Sequence, residues 1–477
     1  MRTIYPSLLS MVAALVLFAS CLGDDDDNLT YYDDTAITSF TLGTLNRTMH
    51  TLSSEGEDST YTDEVDGSEY NFFIDQAACE IYNPDSLPEG TDNSKVVCTI
   101  YSKNSGVVVF KNIDSDTLTY YDSSDSIDFS EPREVRVYSL SGYYYRTYTI
   151  SVNVHQQDST EMNWALQATN TSAFGPMEHI RSIVNDDNTI FVFGTDGSQT
   201  SAFYASASDL DTWTEANLDT RIASDADAYA NVVLKDGYLY VLCGDGTLLR
   251  SPDADSWEYV SSAPIEKLVA AGGEENLYGM GADSIMISTD NGVTWTADGH
   301  DDDVEYLPAE CIHGFMFDSA TNDDVARVVF VGNRNADLYP ADTAAVAWGR
   351  IEEYDSHADA HSWIYQDGSD YWENALPRME DLTVVAYNDG LLAMGGNGVG
   401  SEAEAYTYMY SSYDQGVSWS IEDFFVFPDD FDASATCITA AADSDKFLYI
   451  ICGGTGEVWR GRLNKFAWAD YETSFTE

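Results

Sequence analysis

Apolar and polar positions follow two regimes along the chain. Between about Thr35 and His155, short runs rich in Tyr, Val and Ile ("EYNFFID", "SKVVCTIYS", "SGVVVFKN", "REVRVYSLSG", "YYYRTYTISVNVHQ") alternate apolar with polar residues between turn-rich breaks. Successive side chains of a strand point to opposite faces, so this alternation predicts a small β-sandwich. The closing run sets Tyr144, Arg146, Tyr148, Ile150, Val152 and Val154 on one side, as a final edge-forming strand would. Beyond residue 180 an apolar strand ending in glycine returns six times: "TIFVFG" to Gly194, "LYVLCG" to Gly244, "NLYGMG" to Gly281, "VVFVG" to Gly332, "LLAMG" to Gly395 and "LYIICG" to Gly453. Most are followed by a second strand, a polar turn and a tryptophan: Trp213, Trp257, Trp295, Trp372 and Trp419. Four short strands per unit, repeated in this way, predict a β-propeller. Trp164 in "STEMNWALQATN" precedes the first unit and reads as an outer strand that completes the last unit and closes a ring of six. Seven units is the alternative, if "FAWADYE" pairs within its own unit.

The hydrophobic pattern at the N-terminus is of another kind. Arg2 stands in a short polar head, followed by "LLSMVAALVLFAS" and then Cys21. A charged head, an apolar run of this length and small residues before a break predict a signal peptide over residues 1–20. Ala19-Ser20-Cys21 resembles the lipobox of bacterial lipoproteins, in which the cysteine thiolate accepts the lipid, so Cys21 is the expected lipidation site and the outer membrane, reached through that anchor, the expected partner. Asp24, Asp25, Asp26 and Asp27 resemble the surface-export signal of Bacteroidota lipoproteins; the offset of three residues from Cys21 keeps the periplasmic face as an alternative to the cell surface. The expected layout is therefore a signal over 1–20, an acidic tether over 21–34, a sandwich over 35–156 and a propeller over 160–477, an all-β protein throughout.

Charge narrows the list of partners. Asp and Glu number 82 against 21 Lys and Arg, a formal net charge of -61, which excludes nucleic acid and anionic membrane surfaces as direct partners. Hydrophobic residues at 44% and aromatics at 13% are too many for a disordered acidic chain. Of the cysteines beyond Cys21, Cys243 and Cys452 occupy equivalent places in two repeats, and Cys311 and Cys437 each open an apolar strand, so these four read as small core residues. Cys79 and Cys98 are left as a pair that could bridge.

The tryptophan-bearing turns carry the most regular motif. Ser288-Thr289-Asp290-Asn291-Gly292-Val293-Thr294-Trp295 recurs as Ser412-Tyr413-Asp414-Gln415-Gly416-Val417-Ser418-Trp419, with one residue fewer as "SPDADSW" to Trp257, and more loosely as "SASDLDTW" to Trp213. It resembles the Asp-box, or BNR repeat, of sialidase-type propellers. In such a hairpin the aspartate accepts hydrogen bonds from turn amides, glycine takes a backbone conformation closed to other residues, the hydroxyls tie the loop and tryptophan fills the gap between sheets. Ser288, Asp290, Gly292, Thr294, Trp295, Ser412, Asp414, Gly416, Ser418 and Trp419 are therefore expected to be structural.

Chemistry is harder to find. Arg181, Arg250 and Arg334 fall in different repeats, as a sialidase carboxylate clasp would, but "HIRSIV" around Arg181 lacks the proline of that family's signature. His357 and His361, four apart in "YDSHADAHSW", have helical metal-ligand spacing inside a polar insertion that reads as a solvated loop. No phosphate loop, zinc motif or nucleophile elbow occurs, and neither a catalytic set nor a cofactor or metal is expected. The loops after Gly332 and Gly395 carry Arg334, Tyr339, Tyr406 and Tyr408, side chains suited to sugars, and are the expected ligand-binding set. The frame Asp128, Phe129, Pro132, Val135, Val137, Ser139 and Gly142 resembles the immunoglobulin-like modules of Bacteroidota surface lipoproteins, and the chain as a whole resembles an uncharacterised lipoprotein family of that kind. The resemblance implies surface exposure and non-catalytic contact with a glycan or protein; a surface glycoside hydrolase, sialidase-like, is the alternative.

Overall fold

The computed structural model describes residues 32–52, 58–354, 361–366 and 375–468; Cys21, Asp24, Asp25, Asp26, Asp27, His357 and Trp372 lie outside them. The chain separates into two compact units at Asp158 and Ser159. The regular secondary structure of both is almost wholly strand.

In the first unit one sheet runs in the order Phe73–Asp75, Glu80–Tyr82, Tyr145–Ser151, Arg133–Tyr138, Val107–Lys111, Leu118–Tyr120, and a second joins Ile37–Leu42, Val96–Ser102 and Ser126–Ile127. Alternation decides which side each residue takes: Arg133–Tyr138 alternates buried with half-buried positions, and Ile37, Phe40, Ile100, Val135, Val137 and Ile150 share one core. Tyr148 is fully buried; its hydroxyl donates to Gln76 Oε1 at 2.6 Å and accepts from the Ile37 amide at 3.3 Å, tying one sheet to the other. The strand read as an edge is interior instead. Tyr145–Ser151 pairs antiparallel with Arg133–Tyr138 on one side and parallel with Glu80–Tyr82 on the other. The covering strand has three residues, too few to leave an alternation in the sequence.

Among the described residues the second unit holds six four-stranded antiparallel sheets that follow one another along the chain, numbered I to VI here. Their first strands, His179–Val184, Val232–Lys235, Lys267–Ala271, Glu310–Ser319, Thr383–Tyr387 and Ile438–Ala442, all line one axial channel. Sheet VI takes its fourth strand from the start of the unit: Met162–Thr169 pairs antiparallel with Glu457–Leu463, with Trp164 opposite Gly461. A Cβ on Gly461 would lie 2.5 Å from the Trp164 ring, so the indole lies over bare backbone. Trp164 Nε1 donates to Val426 O of sheet V's outer loop at 2.8 Å. The closing strand read from Trp164 is present, and "FAWADYE" contributes no strand among the described residues.

The turn Ser288–Trp295 is held as its residue types require. Asp290 Oδ1 accepts from Ser288 Oγ at 2.8 Å and from the Thr294 amide at 2.8 Å, and Oδ2 accepts from Thr294 Oγ1 at 2.6 Å. Burial pushes the Asp290 carboxyl up, but hydrogen bonds from Thr294, Ser288 and the Val293 amide together hold it below the ordinary carboxylate range. Gly292 has φ +87°, and a Cβ there would lie 2.5 Å from Leu248 Cδ2 of sheet II, so the turn of one sheet is pressed against its neighbour. Ser412–Trp419 repeats the bonds: Asp414 accepts from Ser412 Oγ at 2.8 Å and from Ser418 Oγ at 2.5 Å, and Trp419 Nε1 donates to Gly416 O at 3.2 Å. In the shortened copy Ala254, with φ +62°, takes the left-handed place, and Trp257 Nε1 donates to its carbonyl at 2.8 Å. The loosest copy departs. Asp209 already begins the fourth strand, Asp209–Glu215, after a hairpin of Ala207 and Ser208, and Trp213 lies within that strand. Sheet IV meets sheet III through a tryptophan the repeat did not single out: Trp363, fully buried, donates Nε1 to Asp298 Oδ2 at 2.9 Å. All six cysteines among the described residues are free, Cys79 and Cys98 included.

Candidate functional site: the axial channel of the second unit

The first strands of the sheets begin at one mouth of the channel, and three of their opening residues line it. His179 opens sheet I, Lys267 sheet III and Glu310 sheet IV; Asp381 precedes sheet V and Tyr229 precedes sheet II. These five, with Asn333 from the second strand of sheet IV, line an upper cavity of about 560 Å³. His179 Nδ1 lies 2.5 Å from Asp381 Oδ1, bridging sheets I and V. That hydrogen bond raises the His179 imidazole above its ordinary range against the opposing effect of burial. The His179 ring stacks on Tyr229 at 6.0 Å between centroids and 11° between planes, and burial pushes the Tyr229 phenol far up, so it stays a neutral donor. Asp381 and the adjoining Cys311 hold φ of +47° and +50°, strained backbone for residues other than glycine and of a kind that gathers at ligand sites. With Nδ1 engaged by the carboxylate, His179 has Nε2 to offer a ligand, and Lys267 and Glu310 add one charge of each sign. The arrangement can hydrogen-bond and stack on a polar ligand, and it can move a proton.

Below it, a lower cavity of about 650 Å³ is walled by Val232, Ala271, Gly314, Val384 and Ala440. Arg181 stands between the two cavities. Its Nη1 donates to Ala230 O at 3.1 Å and to Ile312 O at 2.6 Å, reaching across the axis to sheet IV.

The loop residues expected to bind a ligand fall elsewhere. Arg334 spends its fork on Asp342 (Nε to Oδ2 2.6 Å, Nη2 to Oδ1 2.7 Å), donates Nη1 to Glu305 O at 3.0 Å, and lies 3.8 Å over the Tyr339 ring. Arg378, also buried, braces the same loop by donating to Tyr339 O and Arg334 O, each at 2.8 Å. Tyr406 packs among Phe427 and Phe431 and donates its hydroxyl to Ala435 O at 3.2 Å. Tyr408 is half exposed. The structure thus brings Arg334 and Tyr339 together and gives Tyr406 and Tyr408 different surroundings. Arg250 is engaged on the outer strands of sheet II, by Glu258 and the Tyr238 ring, so Arg181, Arg250 and Arg334 form no common clasp. His361 lies 3.2 Å from Glu353, and among the described residues no group of three or more His, Cys, Asp or Glu is placed to hold a metal ion. The channel residues were missed because they are scattered in sequence; the signal was a polar residue at the start of an inner strand, as in "HIRSIV", "KLVAA" and "ECIHG".

Successive four-stranded sheets around an axial channel, preceded by a separate β unit, define a β-propeller protein. The family comparison agrees. Residues 158–471 match the DUF6242 beta propeller domain and residues 40–152 the DUF6242 N-terminal domain, a domain of unknown function; the chain belongs to the DUF6242 family. No curated protein matches it. Among solved structures, it is similar to a structural genomics protein of unknown function from Bacteroides thetaiotaomicron VPI-5482 (10% identity, 82% of this chain and 98% of that one, TM-score 0.40). It is also similar to YCF48 bound to D1 peptide (12% identity, 63% and 96%, TM-score 0.33) and to a family AA12 carbohydrate-active enzyme of Trichoderma reesei (11% identity, 64% and 96%, TM-score 0.37).

Proposed function

We propose that the protein is an outer-membrane lipoprotein, anchored through Cys21 and displayed on the cell surface, whose propeller of six blades recognises a glycan or protein ligand at the upper mouth of its channel without turning it over. The first unit, an immunoglobulin-like spacer in this reading, holds the propeller away from the membrane, and the turns around Asp290 and Asp414 are Asp-boxes that staple neighbouring blades. The observation that carries the reading is the upper cavity. Five sheets contribute His179, Tyr229, Lys267, Glu310 and Asp381 to one volume of about 560 Å³, enough for a sugar or a side chain, on a rigid scaffold. A stacked aromatic with hydrogen-bonding groups of both signs suits a neutral polar ligand better than a polyanion. One observation favours a second reading: the His179–Asp381 pair beside Glu310 is also what a glycoside hydrolase or another hydrolase would use as base and acid. A glycan array run beside a fluorogenic glycoside panel, on soluble protein spanning residues 22–477, separates the two. Saturable binding without turnover supports recognition; turnover abolished by Glu310→Gln or Asp381→Asn establishes the hydrolase.

A further inference from the structure

Arg181 is a buried cation in a chain of net charge -61, yet among the described residues no Asp or Glu partners it. It is 8% exposed, and its hydrogen bonds go to two backbone carbonyls through Nη1 alone. Among the described residues Nε is buried with no partner, and Nη2 makes no hydrogen bond. Carbonyl dipoles hold a guanidinium in place but do not neutralise it, and an unpaired buried charge is among the costliest features a fold can keep. The other titratable groups on the lower cavity do not supply the missing charge. His313 is half-buried, shares Nε2 with Leu382 O at 3.1 Å, and is kept neutral by desolvation and by Arg181 itself. Lys235 is a second buried cation, bonded to Gly272 O at 2.9 Å and 3.4 Å from Asp236. Asp186 and Asp236 stand exposed at the rim. Deep in the cavity there is positive charge, apolar wall and no counter-charge.

We propose that the lower cavity binds a small organic carboxylate, which enters at the rim and places its charged end on the free side of the Arg181 guanidinium and its carbon chain against Val232, Val384 and Ala440. A carboxylate fits better than an inorganic anion. The guanidinium is flat and weakly hydrated, and a strongly hydrated ion would lose its water to apolar walls without recompense. The site is separate from the upper cavity and does not depend on what binds there.

The experiment uses butyrate and its uncharged isostere butyramide on the soluble protein, with binding read by ligand-observed saturation-transfer NMR. Butyrate is expected to bind saturably and butyramide about tenfold or more weaker, the difference a single charge-assisted hydrogen bond makes. Arg181→Met is expected to abolish the preference for butyrate. Should that variant fail to fold, Ala386→Phe fills the lower cavity from its wall and leaves the Arg181 contacts alone; it is expected to remove butyrate binding as well. Equal binding of butyrate and butyramide, no saturable butyrate signal, or wild-type butyrate binding in Ala386→Phe would overturn the proposal and leave Arg181 as a brace between sheets I and IV.

Discussion

Replacing Asp290 by alanine removes three hydrogen bonds of unequal value from one turn. The bonds to the Thr294 amide and hydroxyl lie at the surface, where water takes over, and each is worth a few tenths of a kcal/mol. Ser288 differs because it is fully buried. Its Oγ still accepts from the Gly292 amide at 2.8 Å, but its hydroxyl proton loses its acceptor, and a stranded buried donor costs about 1–3 kcal/mol. The sum is about 1.5–4 kcal/mol. At about 2.1 cal/mol/K of unfolding entropy per residue over a unit of about 300 residues, that lowers Tm by about 2–6 °C. Differential scanning calorimetry measures it directly. Asp414→Ala cuts the equivalent bonds in sheet V and should produce a fall of similar size, with the two adding in the double variant because the turns share no partner. An unchanged Tm accompanied by loss of ligand binding would refute the structural reading and make Asp290 a contact residue.

Further outcomes follow from other parts of the chain. Cys21→Ala should release the exported protein from the membrane fraction, and protease shaving of intact cells should reach the wild-type protein; continued membrane association of the variant contradicts the anchor. Arg334→Ala should destabilise the second unit by about 1–3 kcal/mol, because it strands the partly buried Asp342 carboxylate, and should leave ligand affinity unchanged; weaker binding at unaltered Tm would return Arg334 to the binding site. His179 should titrate above the ordinary histidine value of 6.5 in histidine NMR and fall back in Asp381→Asn. Since its folded pKa is raised, the stability it contributes is present in full below about pH 6.5 and is lost as pH rises through the folded value, a small effect for a half-exposed side chain; stability that grew with pH in that window would contradict the pairing.

How much of this was legible in the sequence depended on whether the information was local. The six recurring strands ending in glycine could be read because each is one apolar run, and the turn around Asp290 because its bonds join residues two and four apart. The closing strand was legible from one tryptophan out of place, Trp164. Trp363 was not, because the insertion of sheet IV moves its tryptophan off the repeat spacing. Tyr145–Ser151 read as an edge since its covering strand is three residues long. The pairing of Arg334 was not legible, because nothing in the sequence reveals that Asp342, eight residues on, occupies both arms of its fork. The channel site was the least legible part: His179 and Asp381 are 202 residues apart and meet only when the ring closes.

The central claim, non-catalytic recognition at the upper mouth, is tested most directly by isothermal titration of the strongest glycan or protein ligand from the arrays into wild type, Tyr229→Ala, Lys267→Ala and Arg250→Ala. The account predicts that Tyr229→Ala and Lys267→Ala each weaken binding about tenfold or more, while Arg250→Ala, on the outer strands, binds as wild type does and no product appears during the titration. Affinity indifferent to both cavity substitutions, or ligand consumed by the wild type but not by Glu310→Gln, would contradict it.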